Sequence, residues 1–351
     1  MKFIMKVSIL TYHWEDNYGA TLQAYATYRA VKELGHTPEF IDLRLPYAPS
    51  LRSRLVFGLK RFRFNSFRRK HFKNLTDTTY WSADELRRNP PVSDCYLVGS
   101  DQTWNPQIGK KLLPAFFLTF GDDQIRRVTY ATSIGLNEWE QSPYISDNDI
   151  KKSLNRFHRI LLREDSGIRI AKEVFGVEAK QVVDPVLLFN CYPELTGDIH
   201  PSGEVISYKL INDEGFYEKA KVVADAMHLP IRSIGSVRKP KGYRASYPES
   251  VDGWLRRIAG ASLVLTDSFH GTVISLLYHR PFVVYIGDPR RVTRIVSLLN
   301  QLGLSDRILT GESSSEKIRS LATKEIDWAS VDEKLSCLRA DSFSLLEEAL
   351  K

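Results

Sequence analysis

Leu263-Val264-Leu265-Thr266 is a short apolar run that breaks into Asp267-Ser268-Phe269-His270-Gly271-Thr272. A buried strand that ends in a polar turn and opens a helix places N–H groups and the positive end of the helix dipole at the turn, which suits an anion. Gly271 would let a ligand approach the backbone closely. Ser268 and Phe269 border the turn. His270 would project into it, either as a donor to phosphate or as a general acid. The same residues also fit a structural reading, in which Ser268 only caps the helix and His270 is a satisfied, half-buried histidine. One strand further on comes Gly287-Asp288-Pro289-Arg290-Arg291-Val292-Thr293-Arg294. Arg291 and Arg294 share a helix face by their spacing, and guanidinium groups clamp phosphate or carboxylate. Cations at a helix start oppose the dipole, a frustration that a nearby anion would relieve.

The N-terminal half repeats the pattern with other chemistry. Asn17-Tyr18-Gly19 lies at the first strand-to-helix turn, with Gln23 one helical turn on. Gly99-Ser100-Asp101-Gln102-Thr103-Trp104 follows the run ending at Val98. Asp101 can accept a proton from a sugar hydroxyl and Trp104 can stack on a sugar ring. An Asx-type turn with a packed tryptophan explains the same residues equally well. Arg163 ends another apolar run, followed by Glu164-Asp165-Ser166.

The elements that must position these residues alternate: short apolar runs with amphipathic stretches, the pattern of β-α-β units around parallel sheets. Strands are expected at 6–12, 39–42, 95–98, 127–133, 159–162, 181–183, 204–208, 231–234, 262–266 and 282–286. Helices are expected at 21–34, 214–227, 251–258, 271–278, 291–299 and 331–350. A looser stretch at 190–203 carries two prolines and two glycines and reads as a linker. The expected organisation is an N-terminal α/β domain over 1–195, a second over 203–312, and C-terminal helices over 313–351 packing back on the body. Two such domains would leave a cleft, with ligands at the carboxyl ends of strands.

With 351 residues, 43% hydrophobic and 26% charged, the chain has the makings of two ordinary cores. Three dispersed cysteines offer neither a disulfide framework nor paired metal ligands, so a cytoplasmic setting is expected. The first residues read as a strand rather than a signal peptide, and no apolar run is long enough to span a bilayer. No dinucleotide fingerprint, phosphate loop or metal-binding histidine motif occurs. Asp147-Asn148-Asp149 resembles a metal-binding pair of aspartates but reads better as a helix N-cap, so no metal and no bound cofactor is expected. The net charge of +7 suggests anionic partners. Residues 51–73 concentrate it, with nine lysines and arginines, no acidic residue, and five interleaved phenylalanines. That stretch can lie on an anionic membrane surface, contact a lipid pyrophosphate, or cover the N-terminal core as a basic helix. No nucleic-acid module appears, and no nucleic-acid partner is expected.

In chain order, Asn17-Tyr18-Gly19-Ala20 with Gln23, Gly99-Ser100-Asp101-Gln102 with Trp104, Arg163-Glu164 with Ser166, Asp184-Pro185, Thr266 to Thr272, and Arg294 with Leu298-Leu299 and Leu302-Gly303-Leu304 resemble the polysaccharide pyruvyl transferase family. The resemblance runs from about residue 7 to about 310. It implies two Rossmann-like domains facing a cleft, as in GT-B glycosyltransferases. It also implies transfer of the enolpyruvyl group of phosphoenolpyruvate (PEP), a co-substrate, to a sugar with release of phosphate. The implied product is a cyclic ketal, often 4,6-O-linked on a hexose such as galactose, in a bacterial capsule, exopolysaccharide or cell-wall precursor. The acceptor would often sit on a polyprenyl-pyrophosphate carrier at the inner face of the plasma membrane.

On this resemblance, His270 and Asp101 are the expected catalytic groups. Arg163, Arg294, Ser268, Phe269 and Gly271 would bind the donor. Asn17, Tyr18, Gly19, Ser100, Gln102 and Trp104 would bind on the acceptor side. Some members carry arginine where this chain has Ser268, so Arg291 or Lys209 would take over part of the PEP contact. Two alternatives remain open at this point: a nucleotide-sugar glycosyltransferase of the same fold, and a non-catalytic carbohydrate- or lipid-binding subunit.

Overall fold

The structure, a computed structural model, describes residues 4–45, 51–210, 214–235, 240–246, 248–287 and 292–351. The chain folds as two compact units. Unit 1 comprises Met1–Arg54, Arg68–Leu188 and Ser336–Lys351, and unit 2 comprises Leu55–Phe67 and Phe189–Leu335.

Unit 1 is built on a parallel sheet of order β2-β1-β3-β4, from Lys6–Leu10 (β1), Thr37–Phe40 (β2), Cys95–Val98 (β3) and Arg126–Thr129 (β4). Leu161–Leu162 (β5) and Lys180–Gln181 (β6) form a separate parallel pair, tied to the fourth strand's segment by the bridges Val128↔Arg159 and Thr132↔Leu162. Val7, Ile9 and Leu97 are fully buried, as expected for strands covered on both faces. The ladder β3–β4 stops at Thr129, short of the expected 133, and Ala131 takes a φ of 52° that no continuing strand tolerates. The second strand stops at Phe40 rather than Asp42, whose carboxylate instead accepts from His13, Arg44 and Thr79. The first helix (α1, Tyr18–Glu33) starts three residues earlier than expected because Asn17 caps it, its side chain accepting from the Ala20 N–H.

The basic stretch is a helix, α2 (Leu51–His71), and the division of the chain crosses it. Arg127 is fully buried, its guanidinium donating to the carbonyls of Phe120, Gly121, Asp122 and Ile125. It therefore braces a loop rather than serving chemistry.

Unit 2 holds a six-stranded parallel sheet of order β12-β11-β10-β7-β8-β9. Its strands are Val205–Tyr208 (β7), Ile231–Ile234 (β8), Arg244–Ser246 (β9), Leu263–Thr266 (β10), Phe282–Ile286 (β11) and Ile308–Thr310 (β12). The two edge strands, β9 and β12, escape the sequence reading because three half-polar residues carry no periodic signal. Val205, Phe216, Leu263, Leu265, Val283 and Leu309 form the core with Ile318 and Leu321 of the helix Ser315–Thr323. The expected C-terminal body of helices does not exist as one piece. Ser315–Thr323 belongs to unit 2, whereas the helix Trp328–Ala349 is divided between the units at Leu335 and Ser336. The division at Leu188 and Phe189 lies just ahead of the expected linker. Among the described residues no helix is long and apolar enough to cross a membrane.

Candidate functional site

A parallel sheet opens a crevice where consecutive connections leave in opposite directions, at the carboxyl ends of the two strands involved. In unit 1 that point lies between β1 and β3, and in unit 2 between β7 and β10. The loops there are residues 11–17 and 99–105 in the first, and Lys209-Leu210 and Asp267-Ser268 in the second. These are the loops that the residue types alone single out.

In unit 2, Ser268 caps the helix Phe269–Leu277 by accepting from the Gly271 N–H at 3.2 Å. Thr266 holds the turn from below, accepting from the Ser268 N–H at 3.0 Å and donating to the Tyr208 carbonyl at 2.7 Å. Asp267 bridges the two strand ends, accepting from the Leu210 N–H at 2.7 Å. His270 sits inside this frame, 6% exposed, its ring edge-on to Phe269 at 5.3 Å. Arg294 enters from the helix Thr293–Leu302, with its guanidinium 5.9 Å from the centre of the Phe269 ring. Phe269 is thus the shared wall that brings His270 and Arg294 into one place. Lys209 is also buried, with its ammonium 4.7 Å from the Phe216 ring and 5.3 Å from that of Tyr217. Arg291 lies outside the described residues.

Gly271 proves to have a different reason from close ligand approach. A Cβ there would meet Thr266 Oγ1 at 2.7 Å and Tyr208 Cδ1 at 3.0 Å. The glycine lets the helix pack on the strands beneath it.

Thr293 was not legible as a site residue. It opens a helix whose cap, Val292, supplies no side-chain hydrogen bond, and its own hydroxyl is buried without a hydrogen-bond partner. An uncapped helix start with a buried hydroxyl beside Arg294 suits an anion.

In unit 1, Asp101 is held in the left-handed region, φ 76°, by a parallel bridge to Thr132 and by its carbonyl accepting from the Thr103 and Ser133 N–H groups. Such strain in a non-glycine residue persists only where the surroundings impose it. Arg163 is an almost fully buried hub: it donates to Asp184 at 2.7 Å and to Ser100 at 3.2 Å, and lies 3.7 Å from Asp101. Ser100 in turn donates to Asp184 at 2.9 Å. The expectation that Arg163 meets PEP therefore encounters a guanidinium already enclosed by carboxylates of its own unit. Glu164 is consumed too, accepting from Ser133 and from the Ile134 and Gly135 N–H groups.

Asn17 is the cap of α1, with Tyr18 and Gly19 buried in its first turn. Gln23 points back to the turn, donating to Thr11, whose hydroxyl reaches the Ser100 carbonyl. Gln102 accepts from Asn105 beside the positive-φ Gly135. Trp104 differs from the stacking expectation. It is 1% exposed, donates to the Phe116 carbonyl and stacks on Phe117 at 4.9 Å, so it belongs to the core. Asp147 and Asp149 occupy the first turn of a helix capped by Ser146, one residue before the expected cap. No cluster of three metal-ligating side chains occurs among the described residues.

The model of the polysaccharide pyruvyl transferase family matches residues 17–289. The chain belongs to that family. It is a transferase, and the matched span includes the loops of both switch points. No curated protein matches the chain. Among solved structures, this pyruvyl transferase family member is similar to a UDP-N-acetylglucosamine 2-epimerase from Rickettsia bellii, with a TM-score of 0.57 and 11% identity over 98% of this chain and 96% of that one. It is similar also to a UDP-glucosyltransferase from Polygonum tinctorium capable of glucosylating indoxyl, with a TM-score of 0.54 and 12% identity over 99% and 98%. A glycotransferase of kitacinnamycin gives 0.51 and 13% over 98% and 96%. At these identities the likeness establishes the fold, GT-B-like with two Rossmann-like domains.

Two further residues of the family member's first switch point escaped the sequence reading. Glu15, half-buried in the loop after β1, has its carboxyl pushed up to about 7 by burial, with Asp101 and Asp16 adding to the effect. Tyr12, 4% exposed, has a hydroxyl without a hydrogen-bond partner; burial, then Glu15 and Asp101, push its pKa well up. The loop is pinned by Arg68, which donates to the carbonyls of Trp14 and Glu15 and to the Asp16 carboxylate. Only the fold reveals this: in the sequence Glu15 and Asp101 stand far apart, and Arg68 sits in the middle of the basic run.

Proposed function

We propose that the protein transfers pyruvate from PEP to two hydroxyls of a glycan-precursor sugar, forming a ketal and releasing phosphate. The acceptor is a hexose of a capsular, exopolysaccharide or cell-wall precursor, with galactose and a 4,6-linkage as the first candidates. What carries this reading is the position of His270, a buried imidazole at the second switch point of a chain in the pyruvyl transferase family.

In this reaction the PEP methylene takes up a proton and becomes a methyl group. Two sugar oxygens bond to the central carbon and its bond to the phosphate oxygen breaks. Of the two hydroxyl protons, one balances the new methyl group and the other leaves with phosphate. His270 is the proton donor to the methylene or the leaving phosphate. Arg294 and the helix start at Thr293 hold the anionic ends of PEP. In unit 1, Asp101 accepts a proton from a sugar hydroxyl, and Glu15, poised near neutrality, is a second candidate for that step. Arg163 keeps Asp101 and Asp184 in place.

The test is phosphate release from PEP by the purified protein across a panel of free and lipid-linked sugars. Acceptor-dependent release that disappears in His270→Ala is the expected result. Stabilisation by UDP or GDP without any PEP-dependent release would replace this reading with a nucleotide-sugar transferase.

A further inference from the structure

The basic run at 51–73 is not absorbed by either switch point, apart from Arg68. In α2, Phe64 and Phe67 are buried, as is Phe72 just past its end, and they fix the inner face of the helix. The opposite face follows at helical spacing: Leu59, Phe62, Ser66, Arg69 and Lys73 succeed one another at steps of three and four, with Lys70 alongside. Phe62 is 62% exposed and Leu59 51% exposed. Arg69, Lys70 and Lys73 are exposed as well. A large phenylalanine at the centre of a solvated face costs hydration and gains nothing within the fold, because the inward positions already carry three phenylalanines. The run contains no acidic residue from 51 to 73, so nothing along the helix itself neutralises the cations.

We propose that this outward face of α2 docks the protein on an anionic lipid bilayer, with Leu59 and Phe62 entering the acyl boundary and Arg69, Lys70 and Lys73 meeting the headgroups. Charge complementarity selects this occupant. A neutral protein groove would take the two apolar side chains but leave the three cations without counter-charges, whereas an anionic lipid surface accommodates both. A spanning role is ruled out for α2, which is not apolar enough to cross a membrane. The proposal is independent of the reaction catalysed.

The test uses the full chain and sedimentation with vesicles of phosphatidylglycerol and phosphatidylcholine, or of phosphatidylcholine alone. The expected result is binding to the anionic vesicles that fades with added salt. Leu59→Ser with Phe62→Ser should weaken it at least tenfold. Arg69→Gln with Lys70→Gln and Lys73→Gln should weaken it by on the order of a hundredfold, at about tenfold or less per basic residue. These side chains are exposed, so unchanged thermal melting shows that the variants fold. Phosphate release with a water-soluble acceptor should also be unchanged. Absence of sedimentation with anionic vesicles would overturn the proposal, as would equal binding to neutral vesicles. Undiminished binding by the Leu59/Phe62 variant would overturn it too. Loss of a dimer in that variant would reassign the face to a second copy of the chain, and retention of nucleic acid in place of lipid would reassign it to that partner.

Discussion

The two switch points share a topology and carry opposite electrostatics. In unit 1 the strand-end loops bring carboxylates together: Glu15, Asp16, Asp101, Glu164 and Asp184, with Arg163 and Arg68 as the counter-charges that pin them. In unit 2 the corresponding loops gather His270, Lys209 and Arg294 around aromatic walls, with Asp267 spent on a backbone bond. A cluster that disfavours its own ionisation suits taking protons from hydroxyls. A cluster of cations and a helix start suits holding a doubly anionic donor. One fold therefore supplies two chemistries by changing only the loop after each strand, which is where parallel sheets tolerate variation.

Breaking the second cluster should have the largest effect. His270→Ala is expected to lower the rate of phosphate release by about 10²–10⁴-fold, the range of a lost proton-transfer group, with melting little changed. An unchanged rate would remove His270 from the chemistry. Next comes the hub of the first cluster. Arg163→Met leaves Asp184 buried without its guanidinium and should cost about 3–5 kcal/mol in denaturant unfolding. A cost below about 1 kcal/mol would mean that Arg163 is not the brace that its contacts indicate.

Glu15→Gln sharpens the comparison through pH. Folding raises the pKa of this carboxyl to about 7, so the protonated form is the one that the fold favours. The stability it contributes is full below the ordinary carboxylate range and is lost as pH rises through about 7. Glu15→Gln should therefore melt like the wild type near pH 4 and be more stable by about 1–3 kcal/mol near pH 8. If Glu15 is the base, the wild-type rate rises through neutrality and the variant loses that limb. A variant with the wild-type pH profile leaves Asp101 as the base. The smallest effect concerns packing alone. Gly271→Ala pushes a methyl group against Thr266 and Tyr208 and should cost about 1–3 kcal/mol by overpacking, measurable as a lower melting temperature.

Much of this was legible because the central strands are continuous apolar runs and the helices between them are amphipathic. The strands at 95–98, 231–234 and 282–286 and the helix at 214–227 fall where periodicity places them. Edge strands of three residues gave no such signal, and Ala131 ended a strand that its composition would have continued. At the candidate site, the strand-end position pointed to His270 and Asp101. It could not reveal that Trp104 fills the core or that Gly271 serves packing, since both depend on the residues lying across the sheet. Glu15, Tyr12 and Thr293 were silent for the same reason. A carboxyl, a phenol and a hydroxyl become unusual only through the company that folding gives them.

The central claim is the division of labour between the clusters, and titration of PEP into wild type, Arg294→Ala and Asp101→Asn tests it most directly. The account predicts that Asp101→Asn binds PEP as the wild type does while losing turnover, and that Arg294→Ala binds it at least about tenfold more weakly. Wild-type PEP affinity in Arg294→Ala together with lost affinity in Asp101→Asn would contradict it.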